Sequence, residues 1–155
     1  MITAALSLLA AMKGGELQAA TNTKPHGWTT DNVFLGRWQG LSTAGMAVIG
    51  VLTVEPNRVS WGNKANGICS SDYSVEFLPW GRPGTYPDQL IPPSESSDVV
   101  FRVVRLTLQP APCHTGDASI LLAKPLDGSD ELQVNSYDAK GQFTGRYGSF
   151  ERIRP

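Results

Sequence analysis

Residues 46–63 read MAVIGVLTVEPNRVSWGN, and this stretch contains two β-rich runs joined by one turn signal. The central EPNR places proline at the second position of a type I turn, which favours a tight hairpin connection. In the second run, Val59 and Trp61 alternate with smaller neighbours, as on a strand that buries one face. The stretch therefore predicts two antiparallel strands, over residues 46–54 and 58–63.

The same combination of short β-rich runs and turn residues continues in both directions along the chain. No window outside the first residues carries apolar side chains at the 3.6-residue spacing of a substantial helix, so the sequence predicts an all-β protein. The candidate strands cover residues 34–42, 46–54, 58–63, 72–78, 99–108, 119–123, 131–137 and 143–153. About eight strands joined by short turns favour closure into one antiparallel up-and-down barrel, and a two-sheet β-sandwich is the alternative.

Composition limits the classes of function. The chain has 155 residues with 13 Lys and Arg against 14 Asp and Glu, a formal net charge of −1. This length is typical of one domain, and we place a single barrel domain over residues 25–155. A protein that binds the phosphate backbone shows a basic stripe, so we expect no nucleic-acid partner.

The N-terminal segment predicts export. The run from Ile2 to Met12 is apolar and uncharged, which is the length of a signal-peptide core and too short to span a membrane. We interpret residues 1–24 as a signal-peptide-like segment and linker, and the alternative is a short packed helix over residues 3–13. The protein is then expected to be periplasmic or secreted.

Two cysteines, Cys69 and Cys113, lie 44 positions apart without the spacing of a zinc site. In an exported β protein such a pair predicts one structural disulfide, and in a cytosolic protein it would be two buried thiols. We expect no metal site.

Residues 80–98 form the one long connection, WGRPGTYPDQLIPPSESSD, with four prolines and no periodic pattern. A structureless loop of this length is uncommon unless it has a function. Trp80, Tyr86, Leu90 and Ile91 are residue types that anchor protein contacts, so we predict that they bind a partner. The alternative is that these side chains fill one end of the barrel as a small extension of its core.

Gly36-Arg37-Trp38 in the first strand, together with Arg152 or Arg154 at the end of the last, resembles the pattern of the lipocalin and wider calycin family. That resemblance implies an eight-stranded barrel with a binding role, in which Trp38 closes one end and the late arginine packs over its ring. The resemblance does not indicate which ligand this protein would bind. The family's Thr-Asp-Tyr motif in the second half of the chain is missing.

Few residues point to chemistry. His114 with the nearby Asp117 is the one candidate general base, and a surface or capping role is the alternative. Arg102 and Arg105 fall on opposite faces of one strand, so we list Arg105 as a candidate binding residue and a rim position as its alternative. Trp61 is a candidate ligand contact, and the alternative is that it belongs to the aromatic core of the barrel.

These observations predict a non-catalytic, exported binding protein that contacts a protein partner through the 80–98 loop. A carrier of a small apolar ligand in the barrel lumen is the alternative, and a hydrolytic enzyme that uses His114 is the third hypothesis. No phosphate loop, dinucleotide fingerprint or zinc motif is present in the sequence, so we expect no cofactor.

Overall fold

The computed structural model describes residues 33–93, 98–114 and 116–155, so the predicted segment 1–24 lies outside the described residues. Eight strands in this part of the chain form one closed antiparallel barrel in sequence order. The barrel prediction is confirmed, and the sandwich alternative is wrong because the first strand pairs with the last. The strands are β1 (Gly36–Gly40), β2 (Val51–Val54), β3 (Arg58–Asn63), β4 (Gly67–Gly81), β5 (Phe101–Leu108), β6 (Ser119–Pro125), β7 (Glu131–Tyr137) and β8 (Phe143–Arg152).

Side chains on the inner face of the strands fill the barrel. Alternation along each strand sends every second residue inward, and these residues form one buried cluster. Its members include Phe34, Trp38, Leu52, Val54, Val59, Tyr73, Val104, Leu106, Leu122, Leu132, Val134, Tyr147 and Phe150. The described lumen is therefore packed with side chains, as expected for about eight strands.

The Gly-x-Trp pattern closes one end of the barrel. The Trp38 side chain is fully buried, and its indole Nε1 donates a hydrogen bond of 2.9 Å to the Phe34 carbonyl. Arg152 Cζ lies 4.1 Å from the centre of the Trp38 ring, which is the arrangement that the calycin resemblance implies. Arg154 instead donates to the Asp130 carboxylate, so Arg152 is the arginine that stacks.

One predicted strand is partly wrong. We expected a strand over residues 46–54, but a π-helical turn occupies Gly45–Ile49 and the strand begins at Val51. Ser42 starts this turn, because its carbonyl accepts from the Met46 amide and its hydroxyl accepts from the Gly45 amide. A Cβ atom at Gly40 would lie 2.5 Å from the Gly45 carbonyl carbon, so the close packing of the turn on β1 requires glycine.

Cys69 in β4 and Cys113 in the loop between β5 and β6 form a disulfide, with their Cα atoms 5.5 Å apart. The predicted bridge is confirmed. Because β4 begins at Gly67 rather than at the predicted residue 72, Cys69 lies within the strand. The bond therefore fixes the β5–β6 loop to the barrel wall.

No helix among the described residues is long and apolar enough to cross a membrane.

Candidate functional site

The 80–98 loop packs on the outside of the barrel, and residues 94–97 of it are outside the described part. Leu90 and Ile91 are 1% and 0% exposed. They contact a second apolar cluster on the outer face of the sheet, formed by Phe101, Val103, Leu121, Ala123 and Tyr137. Leu90 and Ile91 are therefore buried on the outer face of the sheet and do not fill a barrel end, as the alternative expected, while a binding role for them stays a prediction.

Gly81 allows the loop to lie so close to the barrel. A Cβ atom at this position would lie 2.5 Å from Ile91 Cδ1 and 2.8 Å from the nearest atom of the Tyr86 ring. The Tyr86 hydroxyl donates to the Pro79 carbonyl, and burial raises the pKa of that hydroxyl above its usual value. Tyr86 therefore connects the middle of the loop to the end of β4.

The short 3-10 turn Pro87–Gln89 gives the loop two further attachments to the barrel. The Asn135 amide donates to the Asp88 carbonyl at 3.2 Å, and the Arg146 guanidinium donates to the Gln89 side chain at 2.8 Å. Asp88 and Gln89 have φ values of 55° and 51°, which is the left-handed region that non-glycine residues rarely adopt. These contacts to β7 and β8 hold a strained turn in one position.

A β-bulge exposes Trp80 at the root of the loop. Leu78 pairs with Val103 and Gly81 pairs with Phe101, so two residues of β4 lie opposite one residue of β5. A bulge of this kind bends the strand and redirects a side chain. The Trp80 side chain is 65% exposed, and Arg102 Cζ lies 5.7 Å from the centre of its ring.

Phe77 lies on the same face of the sheet as Arg102. It pairs with the inward-facing Val104, and Arg102 follows two residues away on β5. Phe77 is nevertheless 50% exposed. We call the surface formed by Phe77, Trp80 and Arg102 the aromatic edge.

The opposite end of the barrel carries a cavity of about 360 Å³ beside the disulfide, lined by Trp61 and His114 among others. The ring centres of these two residues are 5.5 Å apart. His114 Nδ1 lies 3.1 Å from the backbone carbonyl of Asp117, whereas the Asp117 carboxylate accepts a 2.6 Å hydrogen bond from Thr144. In this structure the Asp117 carboxylate therefore pairs with Thr144 and not with His114, and the hypothesis of an enzyme that uses His114 with Asp117 or another nearby carboxylate stays untested.

Arg105 lies on the outer face of β5, opposite in direction to Arg102. Its guanidinium donates to the Glu76 carboxylate at 2.8 Å. Both side chains are about half exposed, and an ion pair of this kind contributes about 0–1 kcal/mol to stability. Arg105 is therefore available to a ligand on the outside of the barrel and is not a lumen residue. Among the described residues no group of three or more metal-ligating side chains could hold a metal ion.

Sequence reasoning missed the second core and the bulge. The run 99–108 is apolar on both faces, with Phe101 and Val103 opposite Val104 and Leu106. A strand covered on both sides has this composition, so the pattern was a usable signal that something packs outside β5. No comparable signal marks the bulge at Trp80.

Comparison with known proteins gives no relative. The chain matches no family model, no curated protein and no solved structure.

Proposed function

We propose that this chain is a non-catalytic, exported binding protein, and that the aromatic edge is its contact surface for a protein partner. The observation that carries the proposal is the contrast within the loop region. Leu90 and Ile91 are buried, while Trp80 and Phe77, at the root of the loop, are 65% and 50% exposed. In this proposal Leu90 and Ile91 hold the loop on the barrel, and the exposed side chains of Trp80 and Phe77 contact the partner protein.

Residue type and rigidity support this assignment. Tryptophan and arginine are enriched among the residues that contribute most to protein interfaces. Trp80 lies in the bulge and next to Gly81, on which Ile91 and the Tyr86 ring pack, so its backbone is held before a partner binds. Less conformational freedom is then lost on binding.

The disulfide supports export, because such bonds persist mainly in oxidising compartments. A lipocalin-like origin of the barrel is part of the same proposal, and the stacking of Arg152 on Trp38 supports it. The filled interior favours a surface contact over a ligand carried in the lumen.

The proposal is tested by affinity capture from an extract of the cells that produce the protein, with captured proteins quantified by mass spectrometry. Trp80→Ala is compared with Phe143→Ala, a matched change because Phe143 is a 43% exposed aromatic at the other end of the barrel. We expect at least one protein to be captured by the wild type and by Phe143→Ala and to be lost with Trp80→Ala. Identical capture by all three forms would contradict the proposal.

A further inference from the structure

Three large apolar side chains are exposed together at the end of the barrel opposite the aromatic edge. Met46 and Val48 lie on the π-helical turn and Ile68 is the second residue of β4, and they are 49%, 51% and 73% exposed. Ile68 lines one cavity together with Met46 and a second cavity together with Val48, so it lies between them. We call Met46, Val48 and Ile68 the apolar tip.

The protein itself satisfies the backbone carbonyl in the middle of the apolar tip. The Ala47 carbonyl accepts hydrogen bonds from the side-chain amides of Asn63 and Asn66, at 3.1 and 3.0 Å. A carbonyl that faces water needs no protein partner, whereas one that enters the acyl region of a membrane must be satisfied within the protein. The two asparagine amides therefore suit a turn that contacts a surface from which water is excluded.

Two cations lie beside the apolar tip. Arg37 and Lys64 line the cavity of about 660 Å³ that Met46 and Ile68 share, and no aspartate or glutamate lines it. The ion pairs in the described part of the chain are made by other arginines, namely Arg105, Arg152 and Arg154. The cations at this cavity are therefore available to an anionic partner.

The opposite side of the apolar tip carries less charge. The Asp117 carboxylate lines the smaller cavity, on the Val48 side, and already accepts a hydrogen bond from Thr144. Against this one carboxylate stand the two cations of the larger cavity. The surroundings of the apolar tip therefore have an excess of positive charge.

We propose that the apolar tip docks on an anionic lipid surface. The side chains of Met46, Val48 and Ile68 enter the boundary between headgroups and acyl chains, and Arg37 and Lys64 bind lipid phosphates. Apolar side chains next to basic ones are typical of protein segments that lie in this boundary without spanning the membrane. The excess of positive charge favours an anionic lipid over a neutral one.

This docking does not depend on the aromatic edge and is compatible with it. β4 begins at the apolar tip and ends at Gly81, next to Trp80 of the aromatic edge. A protein that rests on a membrane through the tip therefore presents the aromatic edge on the side away from the lipid.

The test is co-sedimentation of the full chain with lipid vesicles. One set of vesicles contains phosphatidylglycerol and phosphatidylcholine in equal amounts, and the other contains phosphatidylcholine alone. We expect the chain to bind the anionic vesicles about tenfold or more tightly than the neutral ones, because two cations lie at the surface. Added salt is expected to weaken this binding.

Variants at exposed positions separate the apolar and the charged contributions. Ile68→Ala and Met46→Ala are each expected to lower the affinity for anionic vesicles about fivefold, because each removes apolar surface from the boundary. Leu126→Ala is the matched control, since Leu126 is 42% exposed but follows β6 at the other end of the barrel. Lys64→Gln is expected to lower the affinity about threefold to fivefold, whereas Arg58→Gln, at the far end of β3, leaves it unchanged.

Insertion is measured separately with a spin-labelled lipid in bicelles of the anionic composition. We expect the label to broaden the NMR amide signals of Met46, Val48 and Ile68 more than those of Trp80 and Leu126. The absence of binding to anionic vesicles, unchanged binding by Ile68→Ala and Met46→Ala, or broadening centred on Trp80 would overturn the proposal.

Discussion

At the scale of single residues, Arg152 explains why the first strand needs glycine two positions before Trp38. The guanidinium donates to the carbonyls of Leu35 and Val33 at 2.7 and 2.6 Å while it stacks on the Trp38 ring. A Cβ atom at Gly36 would lie 2.7 Å from Arg152 Nη1, and the φ of Gly36 is +129°. The glycine, the tryptophan and the late arginine therefore form one contact that closes the barrel end.

This contact predicts that Gly36→Ala and Arg152→Ala are not additive. Gly36→Ala places a methyl group where the Arg152 guanidinium lies. Part of the stability lost through Gly36→Ala is therefore not lost when Arg152 has already been replaced by alanine. We expect a coupling free energy of about 0.5–3 kcal/mol between the two changes, measured by urea unfolding of both single variants and the double variant. Additive changes would mean that Gly36 acts through its backbone conformation alone.

Trp38→Ala is expected to destabilise the barrel by about 3–5 kcal/mol, because it empties the closed end and leaves Arg152 without its aromatic neighbour. The same unfolding measurement checks this value. A loss below about 1 kcal/mol would mean that the barrel end collapses around the space or closes without the stack.

At the scale of elements, alternation along the strands was enough to predict most of the barrel. The opposite directions of Arg102 and Arg105 on β5 followed from their spacing of three residues, and the structure has that register. The π-helical turn at Gly45–Ile49 was not predictable from its apolar residues. What decides it is the tertiary contact of Gly45 with β1 and of Ser42 with the Tyr147 carbonyl.

The candidate site was also predicted only in part, because it too depends on tertiary contacts that the local sequence does not show. The sequence indicated the loop and its apolar residues, but which of them face water depends on the outer face of β5 and β6. Leu90 and Ile91 meet that face, and Trp80 is turned away from it by a bulge whose position depends on strand pairing. Neither property is local in the sequence.

The second core predicts that the loop is a stabilising element. Leu90→Ala removes a fully buried side chain and is expected to cost about 2–5 kcal/mol, whereas Trp80→Ala, at an exposed position, is expected to change stability by about 0.5 kcal/mol or less. Chemical unfolding of the two variants measures the difference. Equal losses would show that the loop does not pack on the barrel as described.

A consequence concerns loop deletion. Replacing residues 82–98 by a short turn would expose Phe101, Val103 and Leu121, so such a variant is expected to lose stability as well as partner binding. Point substitutions on the aromatic edge are therefore the cleaner way to examine binding.

At the scale of the whole molecule, the disulfide connects parts of the chain that are 44 positions apart. Restricting an unfolded loop of that length stabilises the folded state by about 4 kcal/mol in the chain-entropy account. We expect the double change Cys69→Ser and Cys113→Ser to lower the free energy of unfolding by about 2–4 kcal/mol while the barrel still forms. Thermal unfolding under oxidising and reducing conditions measures this, and a wild type that is indifferent to reductant would contradict it.

The central claim is that the protein works through the aromatic edge outside its packed interior. The most direct measurement places a photo-reactive phenylalanine analogue at Trp80, Trp61 or Phe143 in turn and maps covalent adducts in the producing cells. Trp80 is on the aromatic edge, while Trp61 and Phe143 are at the other end of the barrel. The account predicts a protein adduct from position 80 and none from 61 or 143. Adducts from position 61 without any from position 80 would contradict it.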